Sequence, residues 1–422
     1  MPRIWSVFLL FLPALAQGMD LKTWVRESPS YQALLLQRAQ AEATWEAAQK
    51  GLAPTLTPQG NYSRSLLGQE SLALGLGGSM ALPWGQAQDN LRGAEITYKK
   101  ALLDLLSQGN LLFQTALSQY LDTYLAALDQ ALAQKRLAWR EAQLKAVRDQ
   151  REKGQATFQD LLDAEGNLAE AQAEALRAQL ALSLAQARLQ ATLGRAVAVE
   201  ALPPLPQETL SLERVLTFLE ERPDVQKARL ALEEAEEALA QARRERAWPE
   251  VSVSLTAQEG NAALSLGLNL KTGVLNYGAQ YTVLGTGGNG GVAFQVQAGI
   301  PLLSPVQDAG VALQEKALAQ ARLALESARR AAELDLRAKY QALLQAQAQV
   351  EVAAKALAGA ENSLAVAQKR LEAGTGTVLE VMQAEVGLLQ ARRTLEGAKA
   401  ALLQAYYALW DAMGQDLVGG ER

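Results

Sequence analysis

Large apolar residues recur every seven positions through Leu336, Leu343, Val350, Leu357, Leu364 and Leu371, and Ala346, Ala353 and Ala360 follow the middle members by three. Large and small side chains alternating at that period form a coiled-coil seam, in which the alanines let neighbouring helices approach closely. No proline interrupts the chain between Gln307 and Ala373. The pattern therefore predicts a helix of about 65 residues, about 100 Å long at roughly 1.5 Å per residue. Gln88 to Lys153 predicts a matching helix nearer the N-terminus. Rods of that length pack side by side in a bundle or tube, not inside a compact domain.

Elsewhere the period drops to two. Leu72, Leu74, Leu76, Met80, Leu82 and Trp84 occupy even positions, with Ala73, Gly75, Gly77, Ser79 and Ala81 between them. Val292, Phe294, Val296, Ala298, Ile300 and Leu302 alternate likewise with Ala293, Gln295, Gln297 and Gly299. Such segments fit strands with one face to lipid and one to water, and equally an ordinary half-buried sheet. Weaker strand patterns run over Thr55 to Leu66, Val251 to Ala257, Ala262 to Leu270 and Val274 to Leu284. That makes four to six strands, too few for one chain to close a membrane barrel, so a barrel would be shared among several chains.

The chain repeats itself. Shifted by 220 positions, Tyr120 to Gly194 matches Tyr340 to Gly414 without a gap, and a second match pairs Pro29 with Pro223 and Pro54 with Pro249. The sequence thus divides into a first repeat over residues 17–201, a Pro-rich linker with a short helix over 202–221, a second repeat over 222–414 and a tail over 415–422. Each repeat reads as helix, β segment, very long helix, Gly turn and second long helix.

At the N-terminus, Arg3, the apolar run Ile4 to Leu12 and Ala14-Leu15-Ala16 have the order of a secretory signal, predicted over residues 1–16. Nothing later is long and apolar enough for a membrane-spanning helix. The 422 residues contain no His and no Cys, which excludes His- or thiolate-bound zinc, Cys nucleophiles, Ser-His-Asp triads and disulfides. A net charge of −5 gives no general pull toward nucleic acid, and neither a cofactor nor a metal is expected. The acid-then-base run from Glu233 to Arg246 reads as a solvated helix face. Gly285 to Gly291 reads as a loop between strands, with neither the Lys-Ser/Thr nor the helix of a phosphate loop.

Both Gly turns have the form Gly-x-x-Thr. Gly154 and Gly374 suit the left-handed position that ends a helix, and Thr157 and Thr377 suit the cap that begins the next. Asp160 and Glu380 stand three residues on, where an acid completes a capping box; Glu380 fits the strict form better.

These residues in this order resemble the TolC family of outer-membrane efflux proteins over essentially the whole chain. The likeness is carried by Pro29 and Pro223, Pro54 and Pro249, Leu82-Pro83-Trp84, Ile300-Pro301-Leu302, Tyr120-Leu121-Asp122 and the two Gly turns. It implies a mainly α fold with a β-barrel portion: antiparallel coiled-coil helices forming a periplasmic tunnel, and a membrane barrel pooled from a homotrimer. Outer-membrane lipid, a periplasmic adaptor protein and an inner-membrane pump are the implied partners. The turns would be the tunnel's closed end, with Gly154, Gln155, Ala156, Gly374, Thr375 and Gly376 as docking tips and Asp160, Asp163, Glu380 and Gln383 around the gate. Arg151 and Lys153 are near enough in sequence to offset the acids. One departure stands out: Pro249 to Pro301 has room for four strands where the family has two, so the extra hairpin either extends as an extracellular loop or enlarges the barrel. The expected function is a passive export duct of a tripartite efflux or type I secretion system, not an enzyme. The alternative is an exported coiled-coil scaffold that conducts nothing.

Overall fold

The computed structural model describes residues 21–64, 70–206, 210–284, 290–299 and 305–419. The predicted signal over 1–16, the Ile300-Pro301-Leu302 strand exit and positions 285–289 of the Gly-rich loop lie outside them. In chain order the elements are α1 (Leu21–Glu27), α2 (Pro29–Lys50), β1 (Thr57–Arg64), β2 (Glu70–Ala81), α3 (Gln86–Glu152), α4 (Phe158–Leu193), α5 (Leu212–Leu216) with a 3-10 turn (Thr217–Glu221), α6 (Pro223–Ala247), β3 (Glu250–Glu259), β4 (Ala262–Asn269), β5 (Val274–Leu284), β6 (Gly291–Gly299), α7 (Pro305–Glu372) and α8 (Val378–Ala412). The two long helices, α3 and α7, have 67 and 68 residues. Two compact units emerge, each drawing on both sequence repeats. One comprises residues up to Leu34, Leu106–Arg222 and Ala331 onward; the other comprises Leu35–Leu105 and Pro223–Arg330.

In the first unit, the heptad seam of α7 begins buried and ends exposed. Ala332, Leu336, Leu343 and Ala353 are buried, whereas Leu371, the last member, is exposed at the turn. Leu336 and Leu343 pack with Leu402, Tyr406 and Leu409 of α8 and with Val215 of α5, so the linker helix is part of the core. The repeated glycines Gly194 and Gly414 end α4 and α8 with left-handed backbones. A Cβ at Gly194 would lie 2.9 Å from Pro29 Cδ, and one at Gly414 would lie 2.8 Å from the Glu221 carbonyl oxygen, so each repeat closes on the start of a helical segment.

The tail is not a loose end. Asn110, on α3 and 0% exposed, donates from Nδ2 to Asp411 Oδ1 and to the Gln415 carbonyl, both at 2.8 Å, while its Oδ1 accepts from the Leu417 amide at 2.9 Å. Gln114 donates to the other Asp411 oxygen at 2.8 Å, and Arg26 Nε donates to the Val418 carbonyl at 2.9 Å. Leu417 and Val418 are thereby held in the core.

The second unit joins its helices by ion pairs. Arg92 Nη1 on α3 reaches Glu237 of α6 at 2.7 and 2.8 Å, Lys100 pairs with Glu234, and Lys227 with Asp104 at 2.6 Å. Arg244 pairs back to Asp89 of α3; Arg243 and Arg246 pair with Glu315 and Asp308 of α7. The acid-then-base face of α6, expected to be solvated, therefore bridges two helices. Its charges are partly exposed, so each pair is worth only about 0.2 to 1 kcal/mol and the set acts mainly on register.

The six strands form one antiparallel sheet in the order β1-β2-β5-β4-β3-β6. The extra hairpin β4–β5 is inserted between β2 and β3 and does not stand apart as a loop. β5 pairs with β2 from Leu72↔Leu284 to Ala81↔Val274, and β4 pairs with β3 from Ser252↔Asn269 to Glu259↔Ala262. A sheet gains backbone hydrogen bonds along its whole edge, which an isolated hairpin in water leaves unmade.

Asn110→Ala should lower the stability of the purified protein by about 2 to 4 kcal/mol, because the buried Leu417 amide and the half-buried Gln415 carbonyl lose their partners together. Thermal unfolding followed by circular dichroism tests this, with the exposed Asn362→Ala as the reference change, expected to shift little.

Candidate functional site

Register sorts the sheet's side chains, apart from a shift beside Leu72 where β2 meets β5. Cross-strand partners share a face, so the pairs Leu74↔Tyr281, Leu76↔Ala279, Leu266↔Tyr277, Leu268↔Leu275, Leu255↔Leu266 and Leu255↔Phe294 place all these residues on one side. The opposite side carries Gln59↔Gly75, Gly75↔Gln280, Ala263↔Gln280, Ser265↔Gly278, Thr256↔Ser265 and Ser254↔Gln295. One face is apolar through the body of the sheet, and its charged members, Arg64, Glu70 and Glu259, lie only at the end far from the helices. The other is built of amides, hydroxyls, Ala and Gly, and among the described residues its one charged member is Glu250, at the end next to α6. On the polar side a groove of about 780 Å³ is lined by residues of every strand, including Gln59, Thr256, Ser265 and Gln280.

The ends of the sheet differ from its middle. Next to the helices, Trp84 and Trp248 line an apolar recess of about 510 Å³ with Pro249, Val251, Leu270 and Lys271, and Trp84 Nε1 donates to the Leu270 carbonyl at 3.2 Å. At the far end are Tyr62, Tyr281, Glu259 and the Arg64–Glu70 pair at 3.5 Å. From Glu250 to Glu259 a strand tilted by roughly 40° rises about 23 Å, close to the height of a lipid-facing band between aromatic girdles. β1 and β6 are the sheet's edges and are exposed along their whole length. Their directions are opposed, so the β6 edge of one copy can take the β1 edge of another as an antiparallel neighbour.

The two Gly turns lie in the helical unit. After α3, the Gly154 amide donates to the Arg151 carbonyl at 2.9 Å and the Gln155 amide to the Gln150 carbonyl at 2.8 Å. After α7, Gly374 and Thr375 repeat this with Leu371 and Arg370, at 3.0 and 2.9 Å. Both are Schellman ends, and the glycine φ values of 74° and 71° are the left-handed ones the motif needs. Gly376 serves a different purpose: a Cβ there would lie 3.0 Å from Arg370 Cβ, so the second turn folds tightly over its own helix end.

The caps also differ, and not as the spacing suggests. Asp160, rather than Glu380, completes a reciprocal box: its Oδ2 accepts from the Thr157 amide and hydroxyl, both at 2.7 Å, while Thr157 Oγ1 accepts from the Asp160 amide at 3.1 Å. At Thr377 only the Oγ1 contact with the Glu380 amide forms, at 3.2 Å. Glu380, one methylene longer, lines a shallow groove of about 280 Å³ with Arg370 and Gln383. Asp163 accepts from Gln159 at 2.8 Å, so the structure places it in a side-chain contact within α4. Arg151 stacks over the Phe158 ring at 5.2 Å. Phe158 and Val378, 66% and 62% exposed, are the residues that sequence reasoning missed: they follow the cap threonines directly and match at the same 220-residue offset. Gln155 and Thr375 are exposed beside them.

Residues 23–195 and 217–415 match the sequence model of a family described as outer membrane efflux protein, one segment on each repeat. No curated protein matches the chain. Among solved structures, the open state of the MtrE outer membrane channel of Neisseria gonorrhoeae is 22% identical with a TM-score of 0.68, covering 94% of this chain and 89% of its own. The outer membrane protein VceC of Vibrio cholerae is 19% identical at TM-score 0.67, covering 94% and 95%. The CmeC outer membrane channel of Campylobacter jejuni is 15% identical at TM-score 0.70, covering 95% and 86%.

The hydrogen bonds from the Thr157 hydroxyl and then the Thr157 amide hold the Asp160 carboxyl below its ordinary pKa, with burial opposing only weakly. The folded state thus binds this proton less readily than the unfolded chain does. The resulting stabilisation is complete above the ordinary carboxylate range and is lost as pH falls through the depressed value. Thr157→Val, which removes the larger cause, should move the Asp160 titration back upward, as read by carboxyl chemical shifts against pH.

Proposed function

The chain belongs to the outer membrane efflux protein family, a family of channels rather than enzymes, and from this premise we propose that it is the passive outer-membrane exit duct of a tripartite efflux or type I secretion system. The observation that supports this most is the two-faced sheet with two open edges. In hydrocarbon every backbone polar group must be satisfied, so a lipid-facing sheet has to close on itself. One chain cannot close it. Three copies joined β6 to β1 make a barrel with apolar side chains toward lipid and amides and hydroxyls toward water. The helices of the three copies then form the periplasmic tunnel. A scaffold that conducts nothing has no use for a sheet of this kind.

In the helical unit, the tips at Gly154–Ala156 and Gly374–Gly376 receive the adaptor, and Phe158 and Val378 offer it apolar contact next to a bare backbone. Asp160 and Glu380, three copies of each, border the gate. Asp160 enters that role already bound to its cap, so Glu380, with Gln383 and Arg370 around it, is the freer of the two.

Purified protein should run as a detergent-dependent trimer and conduct ions in a planar bilayer. A stable water-soluble monomer would exclude the duct. Asp160→Ala with Glu380→Ala should change cation preference and divalent block while leaving the helical circular dichroism intact; unchanged selectivity and block would return both acids to capping alone. Gln155→Trp with Thr375→Trp should abolish export in cells without affecting trimer or conductance, whereas undiminished export would place docking elsewhere. These two positions are better probes than the glycines, whose backbones or close contacts tolerate no side chain.

A further inference from the structure

We infer that the β4–β5 hairpin is a wall segment that widens the barrel, making the outer-membrane outlet an eighteen-stranded pore whose lining, charged among the described residues only at Glu250, discriminates little by charge. The inference rests on the duct reading and carries it further, to what the outlet can pass.

The hairpin's position in the sheet is the first support. A surface excursion would pair with itself and leave β2 and β3 as neighbours. Here both outer edges of the hairpin are taken, β5 by β2 and β4 by β3, over nearly the full length of β4. Its turn beside the helices is also built in. The Asn269 side chain accepts from the Lys271 and Thr272 amides at 3.0 and 3.1 Å, and a Cβ at Gly273 would lie 2.5 Å from the Trp84 carbonyl oxygen, so this turn seats against the residues that lead into α3.

The hairpin also continues both faces of the sheet. Leu264, Leu266, Leu268, Leu275 and Tyr277 extend the apolar side, and Ser265, Asn276, Gly278 and Gln280 extend the polar one. A loop in water has no reason to keep a period of two in phase with its neighbours, because a slip of one residue would cost it nothing. Adding two strands per copy keeps the number per copy even, so the antiparallel alternation survives where copies meet.

Three copies of six strands make eighteen, the range in which barrels hold an open aqueous channel. With strands about 4.8 Å apart and tilted roughly 40°, the backbone ring is about 36 Å across, against about 24 Å for twelve strands. Among the described residues the lining is amide, hydroxyl, alanine and glycine, and its one charge is Glu250 at the helix end; three such carboxylates around a ring about 36 Å across stand farther apart than a Debye length, so they reject ions of one sign only weakly. Bulky solutes of either charge are therefore the class this outlet admits, and selection falls to the tips and the partners.

The chain has no cysteine, so single cysteines report cleanly. In trimers reconstituted into vesicles, Ser265→Cys and Gly267→Cys should react with a charged, water-soluble maleimide, and Leu264→Cys and Leu266→Cys should be protected by lipid. Excising residues 261–288 should let β3 turn directly into β6, with which it already pairs as far as Gln258↔Gly291. The barrel seen by electron microscopy should then narrow by about a third, and the largest polyethylene glycol that enters from the barrel side should shrink with it. If the wild type conducts as a trimer but all four cysteines react alike, the hairpin is an extracellular loop and the inference fails. It fails equally if the excised trimer keeps its diameter. A wild type that neither assembles nor conducts would overturn the duct reading itself.

Discussion

An antiparallel sheet that is apolar through the body of one face and polar over the other needs two solvents, and it needs partners for the N–H and C=O groups of its outer strands. Much else in this chain follows from that constraint. The period of two puts every leucine of β2 and β4 on the side of Phe294 and Tyr281, and every glutamine of β1, β5 and β6 on the other. Water on both sides would leave a large apolar patch exposed, and lipid on both sides would strand the amides. Hydrocarbon outside and water inside satisfies both faces, and joining copies edge to edge satisfies the backbone.

The helical parts solve a different problem with other means. Small residues let long helices lie close, and so the core is made of alternating Leu and Ala with an aromatic cluster where α8 meets α3: Tyr406 and Tyr407 meet Trp410 edge to face, and the Tyr407 ring lies 5.0 Å from that of Phe113. Such seams are weak in register, because one heptad looks much like the next. Specificity comes from features that do not repeat: the Arg393–Asp129 fork between α8 and α3 at 2.7 and 3.0 Å, the Asn110 network, and the ion pairs on α6. Burying the Asn110 amide is costly unless every bond is made, and a register error would break all of them at once.

The duplicated turns show how one motif diverges without losing its geometry. Both keep the left-handed glycine and the threonine cap, which the backbone demands. Around that frame the first tip binds its acid into the cap and stacks Arg151 on Phe158, while the second folds Gly376 over Arg370 and leaves Glu380 at a groove. Each acid sits one turn inside its helix, at the same repeat position and with a different hydrogen-bonding duty.

What the sequence determined by itself was everything with a short period or a local cause: the long helices, the two strongly alternating strand segments and their faces, the glycine turns and their threonine caps. Each depends on residues within a few positions of one another. Only the tertiary structure decided where the extra hairpin lies, since alternation is the same in a central strand as in a free one and hydrogen-bond partners distant in sequence choose between them. It decided, too, that the charges of α6 face α3 and α7, that residues 415–419 close on Asn110, and that Leu371 ends its seam in solvent. The choice of Asp160 over Glu380 as the reciprocal cap turned on one methylene of reach, which spacing alone does not register. Long-range packing selects among states that local pattern leaves equal in energy, and in this chain those selections form the wall of the sheet and the surface of the tips.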